Sequence, residues 1–112
     1  MTERTFTIDA VCAATGVSPA CIHKWINLQY VNPIHPTRRG VHRPFTLRDA
    51  IHLAAIKQLQ VLGLPVSRAA TIIGHSPLET AGQDVLTARI GDAEIRLDMT
   101  AIAARVRTRL LA

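Results

Sequence analysis

Aromatic residues are scarce in this chain: one Trp, one Tyr and two Phe amount to 4%, so a core must be built from Ala, Val, Ile and Leu. Those residues supply most of the 48% apolar content, which beside only 19% charged residues excludes a disordered chain. No apolar run is long enough to span a bilayer, and the opening MTERTFTIDA lacks the apolar stretch of a secretory signal. The expected location is therefore the cytoplasm, with no membrane partner. Cys12 and Cys21 are the only cysteines, too few for a disulfide framework; both lie in apolar, helical-looking sequence and read as buried free thiols. There is no Gly-rich phosphate loop, no GxSxG and no Cys–His arrangement near a carboxylate, so the chain does not read as an enzyme and no cofactor is expected. Cys12, Cys21, His23, His35 and His42 invite a zinc reading, but none of the finger spacings is present and no metal is expected.

Acidic residues are missing where basic ones gather. Residues 1–75 carry eight Lys or Arg against Glu3, Asp9 and Asp49 alone, which accounts for the whole net charge of +5. Residues 76–112 balance five arginines with five acids. This asymmetry points to a polyanion-binding unit joined to a neutral one. The 112 residues suit one domain, or one small domain with an appended element.

Along the chain, FTIDAVCAATGV predicts a helix capped by Thr7 and ended by Gly16, with Ile8, Val11, Cys12 and Ala14 inward. Ser18-Pro19 starts a second helix, PACIHKWINL, with Ile22, Trp25 and Ile26 inward and Pro19, Ala20, His23, Lys24 and Asn27 outward. Two helices about a Gly-containing turn read as a helix-turn-helix. Asn32-Pro33 and His35-Pro36 then exclude a helix, and Ile34 and Val41 flank a basic tip as two short hairpin strands would. Thr46 with Asp49 resembles a capping box opening LRDAIHLAAIKQLQVLG, whose Leu47, Ile51, Ala55, Leu59 and Leu62 share a side and which Gly63 stops. Pro65 opens a short helix closed by Gly74. Residues 75–83 look like a linker. Beyond them, alternation about Gly91-Asp92 predicts a hairpin pairing Ile90 with Ala93, Ala88 with Ile95, Leu86 with Leu97 and Arg89 with Glu94. A last helix carries Ile102, Val106 and Leu110 at i, i+4 and i+8.

A helix-turn-helix offers its second helix to the major groove. Here that helix, 18–28, presents Ser18, Pro19, Ala20, His23, Lys24 and Asn27; Asn27 has the donor and acceptor to read adenine, and Ala20 suits a thymine methyl. Arg38, Arg39, His42 and Arg43, in the basic segment 34–45, are placed to meet phosphates on the backbone or at the minor groove. A solvated loop explains their charge but not the flanking Ile34, Val41 and Phe45, which would order the segment on the core.

The order of these elements, over residues 6–74, resembles the DNA-binding domain of the MerR family of bacterial regulators. FTIDAVCAATGVSPACIHKW is similar to that family's opening, VHRPFTLRDAIHL to the end of its wing and start of its third helix, and QLQVLGLPVSRAATII to its Leu-Gly turn and fourth helix. The resemblance implies a winged helix-turn-helix whose second-helix and wing arginines contact DNA. The wing position is Arg43, with Phe45 in the aromatic position; the second helix has His23, Lys24 and Trp25 where the family carries Arg-Tyr-Tyr.

The fold expected is therefore mostly α: a MerR-like winged helix-turn-helix domain over 1–74, a linker over 75–83, and a β-hairpin plus C-terminal helix over 84–112. The residues after Gly74 are too few to enclose a drug-sized pocket, so no small-molecule effector is expected. The hairpin and helix each need a surface for their apolar sides, from one another or from a second chain. The reading taken is a homodimer through Leu86, Ile90, Ile95, Leu97, Ile102, Val106 and Leu110. The function expected is a sequence-specific, dimeric, double-stranded-DNA-binding transcription regulator of a bacterium or phage. Its alternatives are an architectural DNA-bending protein of the excisionase type and a protein–protein adaptor.

Overall fold

The computed structural model describes residues 5–31, 44–74 and 85–111. In chain order the elements are β1 (Thr5–Phe6), α1 (Ile8–Thr15), α2 (Pro19–Asn27), β2 (Phe45–Thr46), α3 (Leu47–Val61), α4 (Val66–Gly74), β3 (Val85–Ile90), β4 (Ala93–Asp98) and α5 (Met99–Leu111). The fold is mostly helical, as expected: a helix-turn-helix, two further helices, then a hairpin and a helix. The strands expected around Ile34 and Val41, and the linker 75–83, lie outside the described residues.

Local chemistry sets most of the boundaries. Thr7 Oγ1 accepts from the Ala10 N–H at 3.2 Å to start α1, and Ser18 Oγ accepts from the Cys21 N–H at 3.2 Å to start α2, with Pro19 in its first turn. The capping box of α3 is complete: the Thr46 N–H donates to Asp49 Oδ2 at 3.0 Å and the Asp49 N–H to Thr46 Oγ1 at 3.2 Å, both residues being buried. Asp98 Oδ1 accepts from the Ala101 N–H at 3.0 Å to start α5.

Two helices end in the same motif with different residues. At α3 the Leu64 N–H reaches back to Leu59 O at 3.1 Å and the Gly63 N–H to Gln60 O at 3.0 Å, with Gly63 at φ 108°. At α2 the Tyr30 N–H reaches Trp25 O at 2.8 Å and the Gln29 N–H reaches Ile26 O at 3.0 Å, with Gln29 at φ 62°. Both are Schellman caps, whose left-handed residue is usually Gly. Among the described residues Gln29 is the only non-glycine with positive φ, and the left-handed region costs an L-residue about 1–2 kcal/mol. Gln29→Gly is accordingly expected to stabilise the protein by about 0.5–1 kcal/mol, the glycine's greater unfolded freedom offsetting part of the relief. Gly63→Ala is expected to destabilise it by about 1–2 kcal/mol, through the backbone alone, since a Cβ there would meet nothing within 4 Å. Thermal melts of the two variants should move in opposite directions.

Among the described residues one core joins all the helices. It takes Val11 and Ala14 from α1, Ile22 and Trp25 from α2, Phe45 from β2, Leu53, Ile56 and Leu59 from α3, and Ala69 and Ile73 from α4. Leu97 of β4 and Met99, Ile102, Val106 and Leu110 of α5 join the same cluster. Because α1, α4 and α5 all pack on α3, that helix buries more than one stripe, including Ala50, Leu53, Ala54 and Ile56 beside the expected Ala55 and Leu59. Leu62, expected on the same side as Ala55 and Leu59, is 49% exposed; it follows the last helical residue, and the Schellman turn sends Leu64 into the core instead. Cys21, also expected inward, is exposed on the first turn of α2, while Cys12 is half-buried.

The β3–β4 ladder has the expected register, including Leu86 opposite Leu97, Ala88 opposite Ile95, Arg89 opposite Glu94 and Ile90 opposite Ala93. Gly91 has φ 58° and Asp92 stays in the negative region, the signs of a type II′ turn with Gly first. Arg68 Nη2 donates to Arg89 O at 3.2 Å, tying the hairpin to α4. Four residues expected at a dimer interface are thereby corrected. Leu97, Ile102, Val106 and Leu110 are buried in their own chain, and Ile95 packs half-buried beside them, because α5 docks on α1 and α3. The amphipathic pattern was right; the surface that satisfies it is internal. Leu86 and Ile90 belong to the same ladder by backbone register.

Candidate nucleic-acid interface

The helix-turn-helix is held by contacts that begin inside α1. Thr15 is buried at 9% exposure; its hydroxyl donates to Val11 O at 2.8 Å and accepts from the Val17 N–H at 3.3 Å. Gly16, at φ 76°, donates its N–H to Cys12 O at 2.9 Å and reverses the chain. Val17 is buried, and Ser18 then caps α2. The turn is thus fixed by a polar side chain at one end and an apolar one in the middle.

On α2 the split between faces is clean. Ile22 and Trp25 are buried and Ile26 is half-buried, whereas Ser18, Pro19, Ala20, His23, Lys24 and Asn27 are all exposed. At 100° per residue, Ala20, Lys24 and Asn27 form the centre of the outward face, at i, i+4 and i+7, with His23 on one flank and Cys21 on the other. The helix carries no acid in its first turn and Lys24 in its last. Its open surface therefore offers a small apolar side chain, a cation, an amide and an imidazole, donors and contacts suited to base edges and phosphates.

Arg38, Arg39, His42 and Arg43 lie outside the described residues, but Val31 and Phe45, which flank them among the described residues, are buried. On one side, Val31 is buried and its N–H reaches Trp25 O at 3.4 Å after the Schellman turn. On the other, Phe45 is 1% exposed and pairs in β2 with Phe6 of β1, while Thr5 pairs with Thr46. Phe45 is the anchor expected of it. The β1–β2 pairing was not legible beforehand, because strands of two residues show no alternation. It joins the residues just before α1 to those just before α3.

Cys12 and Cys21 differ in environment. Burial, and secondarily the charge of Asp9, push the Cys12 thiol up. Among the described residues no three His, Cys, Asp or Glu side chains gather as a metal site would require, and no helix is long and apolar enough to cross a membrane.

No curated protein matches the chain significantly. The family model for MerR HTH family regulatory proteins, however, matches residues 6–75, the stretch that contains the capped helix pair, the basic segment, α3 and α4. The chain belongs to the MerR family of helix-turn-helix regulatory proteins and is a DNA-binding transcription regulator.

Proposed function

We propose that this regulator recognises a specific double-stranded DNA site, with α2 in the major groove and residues 34–45 as a basic wing on the backbone or minor groove. The observation that carries the reading is the division of α2: each of its side chains assigned to DNA is exposed, while Ile22 and Trp25 on the opposite face are buried in the core and Ile26 is half-buried beside them. A helix so divided is rigidly seated and open along one face, as major-groove insertion requires.

Cys21 supplies a direct test, because it flanks that face within a turn of Lys24. A maleimide is expected to label exposed Cys21 well before Cys12, whose half-buried, raised thiol presents less thiolate. Labelled protein is expected to lose specific binding, bound DNA is expected to protect Cys21, and a Cys21→Ser variant should bind normally and resist the reagent. Undiminished binding by protein fully labelled at Cys21 would rule α2 out of the groove.

We further propose that two copies bind a two-fold site. The contact between them must use surface other than Leu97, Ile102, Val106 and Leu110, which are buried within one chain. Light scattering at micromolar concentration and a footprint of two inverted half-sites are the expected results. A monomer with a single half-site removes the two-fold reading, and an extended run of direct repeats would point to the architectural one.

A further inference from the structure

Arg109, in the last turns of α5, donates from Nη1 to the carbonyl of Ala14 at 3.2 Å, across 95 positions of sequence. Ala14 belongs to the last turn of α1, immediately before the helix-turn-helix turn. A helix leaves its last carbonyls without intrahelical donors and gathers partial negative charge there. Among these, Cys12 O is taken by the Gly16 N–H, but α1 has no basic residue in its own last turn. The cation arrives instead from the far end of the chain. It is carried on a helix whose Val106 and Leu110, on either side of Arg109, are buried.

We infer that Arg109 is a positioning residue for DNA recognition: it holds the α1 end of the turn 16–18 and so sets the direction in which α2 leaves the core. Three groups converge on that turn: the Thr15 hydroxyl from within, Val17 packed beneath, and the Arg109 guanidinium from α5. Only the last belongs to the segment beyond residue 84, so α5 takes part in presenting the recognition helix as well as covering the core. The inference rests on the reading of α2 as the groove-entering helix for its DNA consequence, though not for the contact itself.

The test compares full-length wild type with Arg109→Ala and Arg109→Lys on the DNA site selected by the wild type, at several salt concentrations, alongside amide hydrogen exchange of the free proteins. Arg109→Ala is expected to bind about fivefold more weakly, the upper end of what a cation at a helix C-terminus contributes. Its log–log salt slope should be unchanged, and the Gly16 and Val17 amides should exchange faster. Arg109→Lys, which keeps the charge and can still donate, should recover part of both effects. Wild-type exchange at Gly16 and Val17 in Arg109→Ala overturns the inference, and so does wild-type affinity. A salt slope smaller by about 0.9 overturns it too, since Arg109 would then be a phosphate contact. Exchange reads the contact without DNA, and Cys21 labelling reads α2 without Arg109, so the two readings fail separately.

Discussion

Residues 1–75, produced without the remainder, are expected to show no cooperative unfolding transition. Leu97, Met99, Ile102, Val106 and Leu110 are each no more than 8% exposed, and they complete the cluster that includes Val11, Leu53 and Ile56. A fully buried side chain of this kind contributes about 1.5–3 kcal/mol. Five of them approach the whole ~5–15 kcal/mol that separates a folded domain from its unfolded chain. Truncation would also strip cover from the faces of α1 and α3 on which α5 packs. Trp25 is the only tryptophan and is 4% exposed, so its emission reports the loss directly. The truncated chain should show water-exposed emission and a broad, non-cooperative melt, and Val106→Asp in the full chain should do the same by placing a carboxylate at a site with no exposure. A truncated chain melting sharply within a few degrees of the intact protein would show that α5 is dispensable.

Replacing Arg38, Arg39 and Arg43 together with Ala is expected to weaken specific binding by roughly a hundredfold at 0.15 M salt, and to lower the log–log salt slope by about 2.7. Both figures follow from three phosphate contacts at about 0.9 each. The structural ground is the burial of the residues that flank these arginines, Val31 after α2 and Phe45 in the β1–β2 pair. Binding isotherms over a range of salt decide the matter. An unchanged slope would mean that these arginines are solvated, and would return the protein–protein adaptor reading to consideration. If Arg43→Ala alone reproduces a third or more of the effect, the base of the segment makes the contact; if it reproduces none, the tip does.

What was legible beforehand follows the range of the interaction. Thr7, Ser18, the Thr46–Asp49 box, Gly63 and the Gly91-Asp92 turn all act within a few residues, and each stands where the sequence pattern placed it. The hairpin register was legible too, since apolar and charge alternation agreed on one pairing. Periodicity fails where the question is what a face is buried against. The stripe Ile102, Val106, Leu110 announced a buried face, but nothing local distinguishes a second chain from α1 and α3. Cys21 was misplaced because an apolar residue one position before a buried Ile22 sits just beyond the edge of the packed stripe. Gln29 was invisible as a cap, since the left-handed conformation is imposed there by hydrogen bonds to Ile26 and Trp25 and not by the residue's own preference.

The docking of α5 also bears on when this protein becomes competent during its synthesis. A ribosome emits the helix-turn-helix early, yet the side chains that close its core lie at residues 97–110, and the guanidinium at the end of α1 belongs to residue 109. Chains fold as units when the whole unit has left the exit tunnel. The DNA-binding helices of a nascent chain must therefore wait, made but unsettled, until residues 97–110 have also left the tunnel.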